Sequence, residues 1–138
     1  MTSRRGPLEP LFLRLGEVFE IHRQQIERYG GAGGVRDRGA LESALAQPSS
    51  TFAGEYLHGS IPAMAAAYLF HICQNHPFLD GNKRVGSNAA ITFLFLNDWE
   101  PLFEQDELVD LVLGVAAGGL TKAALTARFE AGCRPFLT

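Results

Sequence analysis

The stretch His76-Pro77-Phe78-Leu79-Asp80-Gly81-Asn82-Lys83-Arg84 concentrates the chemistry of this chain. An imidazole titrates near neutral pH, which makes His76 a natural general base. Asp80 supplies a hard oxygen of the kind that shares Mg²⁺ with the phosphates of a nucleotide. Gly81 lets the backbone approach a ligand closely, and the first N–H groups of a helix that follows it point outward. Asn82 can donate to a phosphate oxygen, Arg84 can grip one through its planar fork, and Lys83 acts as a mobile point charge. Cations at a helix start are locally unfavourable, because that end already carries partial positive charge. Lys83 and Arg84 at such a place point to a bound anion, most simply a nucleotide phosphate. Base, metal ligand and phosphate grips together describe transfer of a phosphoryl or nucleotidyl group to a hydroxyl.

Each residue taken singly has an ordinary reading. A lone histidine is more often a loop or half-buried side chain than a base, and Asp80 alone would more often cap a helix than bind a metal. Lys83 and Arg84 alone would be solvated charges, and Phe78 with Leu79 would anchor the loop in the core. The coincidence of all these types on one helix entrance shifts the balance towards chemistry. His71, Cys73 and His76 are metal-capable, but their spacing does not suit one helix face, so Cys73 reads as a small buried hydrophobe. His22 reads as a helix-surface or groove histidine, with a supporting place beside His76 as the alternative.

The elements that must hold this motif are helical. Leu11, Leu15, Val18, Phe19 and Ile26 recur at steps of three and four, predicting an amphipathic helix over Pro10–Tyr29. Gly30–Gly34 ends it as a flexible connector. Asp37 caps a short helix carrying Leu41, Ala44 and Leu45, stopped by Pro48. Ser49–Gly59 reads as a loop with a helical turn around Phe52–Tyr56, its Phe52, Tyr56 and Leu57 folding back onto the core. Ser60, with Pro62 just inside, starts a helix that runs to Gln74. Pro77 enforces a break over Asn75–Leu79. The next helix runs from near Gly81 to Asn97, and its Ala89–Leu96 stretch, apolar all round, marks it as the buried central helix. Trp99–Phe103 is an extended link. Asp106–Ala117 forms a further amphipathic helix, and Thr121 caps a last one reaching Ala131. The expectation is one all-α domain, a compact helical bundle around a buried central helix, with residues 1–8 as a loose N-terminus.

Composition narrows the function classes. With 138 residues, 46% apolar and 20% charged, the chain is sized for one ordinary globule with its own core. The net charge of −3 offers no basic field for nucleic acid, so direct DNA binding is not expected. Cys73 and Cys133 are the only cysteines and read as reduced thiols of a cytoplasmic protein. No apolar run approaches the roughly 20 residues of a membrane span.

The motif resembles the signature of the Fic/Doc family, histidine-x-phenylalanine-x-acidic-small-asparagine-x-arginine. The resemblance extends to Glu20-Ile21-His22, to Arg28-Tyr29-Gly30-Gly31, and to Arg36-Asp37 with Leu41-Glu42-Ser43-Ala44, which look like the front half of the death-on-curing (Doc) branch. Gly114-Val115-Ala116-Ala117-Gly118 looks like its back half. Similarity thus runs from Val18 to Arg128. Members that transfer AMP usually carry Gly where this chain has Lys83 and a second Arg where it has Ser87. Asn82-Lys83-Arg84, with Asn88 four residues on, is similar to Doc. The resemblance implies Mg-ATP-dependent phosphorylation of a protein threonine, with elongation factor Tu as the family target and arrest of translation as the result. It assigns His76 to the acceptor hydroxyl, Asp80 to Mg²⁺, and Gly81, Asn82, Lys83 and Arg84 to phosphates, with Arg28 and Asn88 as accessories. It also implies a small antitoxin whose C-terminal segment folds onto an apolar groove of the toxin. The groove has no address in the sequence. Thr126 and Glu130 faintly match the inhibitory helix of some Fic proteins, but a plain surface helix accounts for them. The alternatives are Fic-type AMP transfer to a protein hydroxyl and a catalytically silent binding module.

Overall fold

The computed structural model describes residues 9–136, so the expected loose N-terminus, residues 1–8, lies outside the described residues. The helices are α1 (Leu15–Tyr29), α2 (Arg38–Ala46), α3 (Ile61–Asn75), α4 (Asn82–Leu96), α5 (Gln105–Ala116) and α6 (Lys122–Gly132). Two short antiparallel ribbons join them: β1 (Thr51–Phe52) with β2 (Glu55–Tyr56), and β3 (Trp99–Pro101) with β4 (Cys133–Pro135). The all-α class holds, because the ribbons only link helices.

The central helix is α3, which corrects the expectation that α4 occupies that place. Ser60 caps α3 by accepting from the Ala63 N–H at 3.1 Å, with Pro62 in the first turn. Every residue from Ile61 to Leu69 is buried, and α2, α4, α5 and α6 all pack against this helix. Gly86 of α4 lets α3 and α4 close up, since a Cβ there would stand 3.2 Å from Cys73 Sγ. α4 buries Val85, Ala89, Ala90, Phe93 and Leu94 but leaves Phe95 exposed at 48%. α4 packs chiefly on α3, and the face turned from its neighbours stays exposed whatever its composition. Phe95 instead stacks on Phe136, with ring centres 5.7 Å apart.

α1 starts at Leu15, later than the periodicity suggests. Tertiary hydrogen bonds hold the preceding segment out of helical geometry. The Leu11 N–H donates to Asn97 Oδ1 at 2.7 Å, Asn97 Nδ2 donates back to the Leu11 carbonyl at 3.0 Å, and the Leu13 N–H donates to the Tyr68 hydroxyl at 2.9 Å. The helical turn expected around Phe52–Tyr56 is a hairpin. Ala53 (φ 54°) and Gly54 (φ 83°) both take positive φ, the geometry of a two-residue hairpin turn. Phe52 and Leu57 are exposed, and Tyr56 alone of the three expected anchors turns inward, against Phe12. Asp37 caps α2 and Thr121 caps α6 as expected. Both thiols are free and buried, and burial pushes Cys73 up to about 11 and Cys133 up to about 12, which leaves them unreactive. Among the described residues no helix is long and apolar enough to cross a membrane.

Candidate functional site

The motif occupies the turn between α3 and α4. α3 ends on His76, which sits in the left-handed region (φ 51°, ψ 53°). Phe78 is completely buried and stacks on the ring of His22, centroids 4.0 Å apart. Leu79, expected as a second anchor, is 50% exposed and does not enter the core. The buried side chain of Asn82 closes the turn: its Oδ1 accepts from the Phe78 N–H at 2.9 Å, and its Nδ2 donates to the Phe78 carbonyl at 3.0 Å. This amide, expected to reach a phosphate, is therefore committed to shaping the loop. His22 is buried and bonds through Nε2 with the Asp80 carbonyl at 3.0 Å, so it supports Asp80 rather than His76.

The glycine-rich connector is not free. The Arg36 and Asp37 N–H groups both donate to the Pro77 carbonyl, and the Leu79 N–H donates to the Gly34 carbonyl. The Ala32 N–H donates to Asp80 Oδ2 at 2.7 Å. Gly31 is required beneath that carboxylate, since its φ is +109° and a Cβ would lie 3.1 Å from Asp80 Cβ.

α4 opens on Gly81 (φ 87°), and no side chain caps its first turn, which contains no acidic residue. Lys83 and Arg84 are exposed there, on the wall of a cleft of about 650 Å³. Asp80, Gly81, Asn82, Ser87 and Asn88 share that wall. α1 contributes Gln25, Ile26 and Tyr29, and α5 contributes Gln105, Leu108, Val109, Val112 and Leu113. The volume falls within the roughly 300–1,000 Å³ of small-molecule sites. The Arg84 guanidinium lies over the Tyr29 ring at 4.1 Å from its centroid, so the aromatic face holds the cation above the cleft. Asn88 turns back to donate to the Arg84 carbonyl at 2.8 Å. His76 is exposed and stands outside the lining, as does Arg28, whose helix presents its neighbours instead. Glu130 accepts from Ser60 at the start of α3, away from this cleft.

Among the described residues no group of three or more acidic, His or Cys side chains is placed to hold a metal. A Mg²⁺ here would rest on the exposed Asp80 carboxylate and on oxygens brought by the substrate, which suits an ion that keeps few protein ligands. The sequence gives no sign of Tyr29 as a cation partner, of the bonds Arg36 makes to the motif, or of the α5 wall. Arg36 donates from Nε to the His76 carbonyl at 2.6 Å and from Nη2 to the Asn75 carbonyl at 2.9 Å.

The histidine-to-arginine motif thus sits at the junction of the central helix with the next, inside a helical bundle. The chain belongs to the Fic/DOC family, whose sequence model matches residues 12–94. It is similar to "Protein kinase doc" of Escherichia phage P1, with 32% identity over 109 residues that cover 79% of this chain and 85% of that protein. It is also similar to "Toxin Doc" of Mycolicibacterium smegmatis, with 39% identity over 90 residues, 64% of this chain and 69% of that one.

Proposed function

We propose that the protein is a Doc-like toxin of a toxin–antitoxin pair that moves the γ-phosphate of Mg-ATP to a threonine of a cytoplasmic protein, elongation factor Tu by resemblance. The observation that carries this reading is the uncapped, cationic start of α4, opening beside Asp80 into a cleft of nucleotide size. Similarity to a protein kinase Doc favours the phosphoryl group as the one transferred.

In this reading the first-turn N–H groups of α4 and the side chains of Lys83 and Arg84 grip phosphate oxygens. Gly81 admits the phosphates close to the backbone, and Asn82 contributes by fixing the turn. Asp80 holds Mg²⁺, which when bound offsets phosphate charge and orients the terminal group. His76, exposed beyond the cleft wall, meets an acceptor hydroxyl arriving from solvent and takes its proton. The threonine oxygen then bonds to the γ-phosphorus as the bond to the bridging oxygen breaks, leaving ADP. Asn88 braces the Arg84 backbone, and Arg28 keeps at most an accessory place at the edge. The exposed Val109 and Leu113 on α5 offer apolar surface for an antitoxin segment that folds on binding.

The test is paired labelling. Purified protein with Mg²⁺ and elongation factor Tu should label the factor from γ-labelled ATP and not from α-labelled ATP. The label should vanish with a chelator and in His76→Ala and Asp80→Ala. Label from α-labelled ATP alone would establish AMP transfer instead. Absence of label from both, with no growth arrest on expression, would leave a binding module.

A further inference from the structure

We propose that Arg36 is the positioning residue for His76, a role that rests on reading His76 as the base. His76 adopts a left-handed conformation that non-glycine residues disfavour, and Pro77 behind it restricts that backbone further. Such a conformation persists only where the surroundings over-determine it. The surroundings here come from one short stretch. The Arg36 guanidinium spans two successive carbonyls, of Asn75 and His76, at 2.9 and 2.6 Å. The backbone N–H groups of Arg36 and Asp37 converge on the next carbonyl, of Pro77, at 2.7 and 3.0 Å. Three consecutive peptide groups around the imidazole are thereby fixed from outside the motif.

The charge also sits where it is favourable. The C-terminus of α3 carries the negative end of its dipole, and a planar two-point donor there satisfies carbonyls that the helix leaves open. Rotation of either peptide would swing the His76 Cβ and carry the ring with it. Misplacement by about 1 Å can cost a reaction on the order of 100-fold. Arg36 does not line the cleft, so its influence is on the base and not on the nucleotide.

Arg36→Ala should lower kcat for transfer roughly tenfold or more while leaving KM for ATP within about twofold. Arg36→Lys, which can satisfy one carbonyl at a time, should fall between the two. The backbone amide signals of His76 and Phe78 should move in Arg36→Ala, and those of Lys83 and Arg84 should not. An unchanged kcat in Arg36→Ala, or a KM that rises in step with the loss of kcat, would overturn the proposal. If Arg36→Ala does not fold, Arg36→Lys and Arg36→Gln decide in its place, and wild-type kcat in both would overturn it. If the wild-type protein itself transfers no label, the proposed function has failed, and the amide signals alone judge the positioning role. Unmoved His76 and Phe78 signals would then refute it.

Discussion

Both amide atoms of Asn82 are hydrogen-bonded to the backbone of a residue that is itself completely buried. Asn82→Ala strands the Phe78 N–H and carbonyl together in a place water cannot easily reach. Each unsatisfied group costs about 1–3 kcal/mol, so the variant should lose about 2–6 kcal/mol of unfolding free energy. Asn82→Asp keeps an acceptor for the N–H but sets a carboxylate oxygen against the Phe78 carbonyl, so its loss should also be substantial. Urea unfolding checks this, and an Asn82→Ala protein as stable as wild type would show that these two hydrogen bonds do not hold the turn. The motif was legible as a set of residue types, because His, Asp, Gly and the cations fall within a few positions. The direction of each side chain was not legible. Asn82 faces inward because Phe78 needs partners, a fact of the folded turn. Arg36 reaches His76 across 40 residues, and no local spacing encodes that contact. Tyr29 was visible as an aromatic at the end of α1, but Arg84 comes over its ring only when α1 and α4 pack.

At the scale of elements, the segment before α1 behaves as a strap bound to the far end of α4. Asn97 is its fastening, bonding the Leu11 N–H and carbonyl while also donating to the Phe93 carbonyl. Asn97→Ala should free both Leu11 groups, which are partly reached by water, and cost about 1–3 kcal/mol. The Leu11 amide should exchange much faster, while affinity for Mg-ATP should stay unchanged, because the strap does not line the cleft. Loss of nucleotide affinity alongside the exchange would show that strap and site are coupled. Helices were readable where the signals were chemical and local. Asp37, Ser60 and Thr121 each accept from the N–H three residues on, as cap residues should. The start of α1 was not readable, since long-range side chains override the apolar period over Leu11–Leu13. The ribbons escaped for another reason: strands of two or three residues have no room for an alternating pattern. β3 finds β4 only after α5 and α6 have brought the chain back.

For the molecule as a whole, making α3 the axis places polar groups where a bundle has little to offer them. His71 lies on α3 and His58 just before it, and His71 Nε2 and His58 Nδ1 are buried with no hydrogen-bond partner among the described residues. Lys122, at the start of α6, faces both rings. Burial, then the Lys122 cation, then His58 hold His71 down to about 4 from an ordinary 6.5. Burial, then Lys122, push His58 down in the same sense. The folded protein therefore keeps these rings neutral at a pH where the unfolded chain protonates them. Because the unfolded state then binds more protons, stability rises with pH through this window. Their favourable share is complete above an unfolded value of about 6.5 and is lost as pH falls towards about 4. Unfolding free energy should thus decline between about pH 6.5 and 5, before most carboxylates titrate. His71→Leu removes the larger shift and an unpartnered nitrogen, so its unfolding free energy should vary less over that interval. Lys122→Met removes the cation that faces both rings and should also flatten the slope, by less, because burial is the larger cause. Urea titrations at several pH values within the window read both slopes. An acid slope in His71→Leu equal to that of wild type would assign the acid sensitivity to other groups and leave the axis of the bundle out of it.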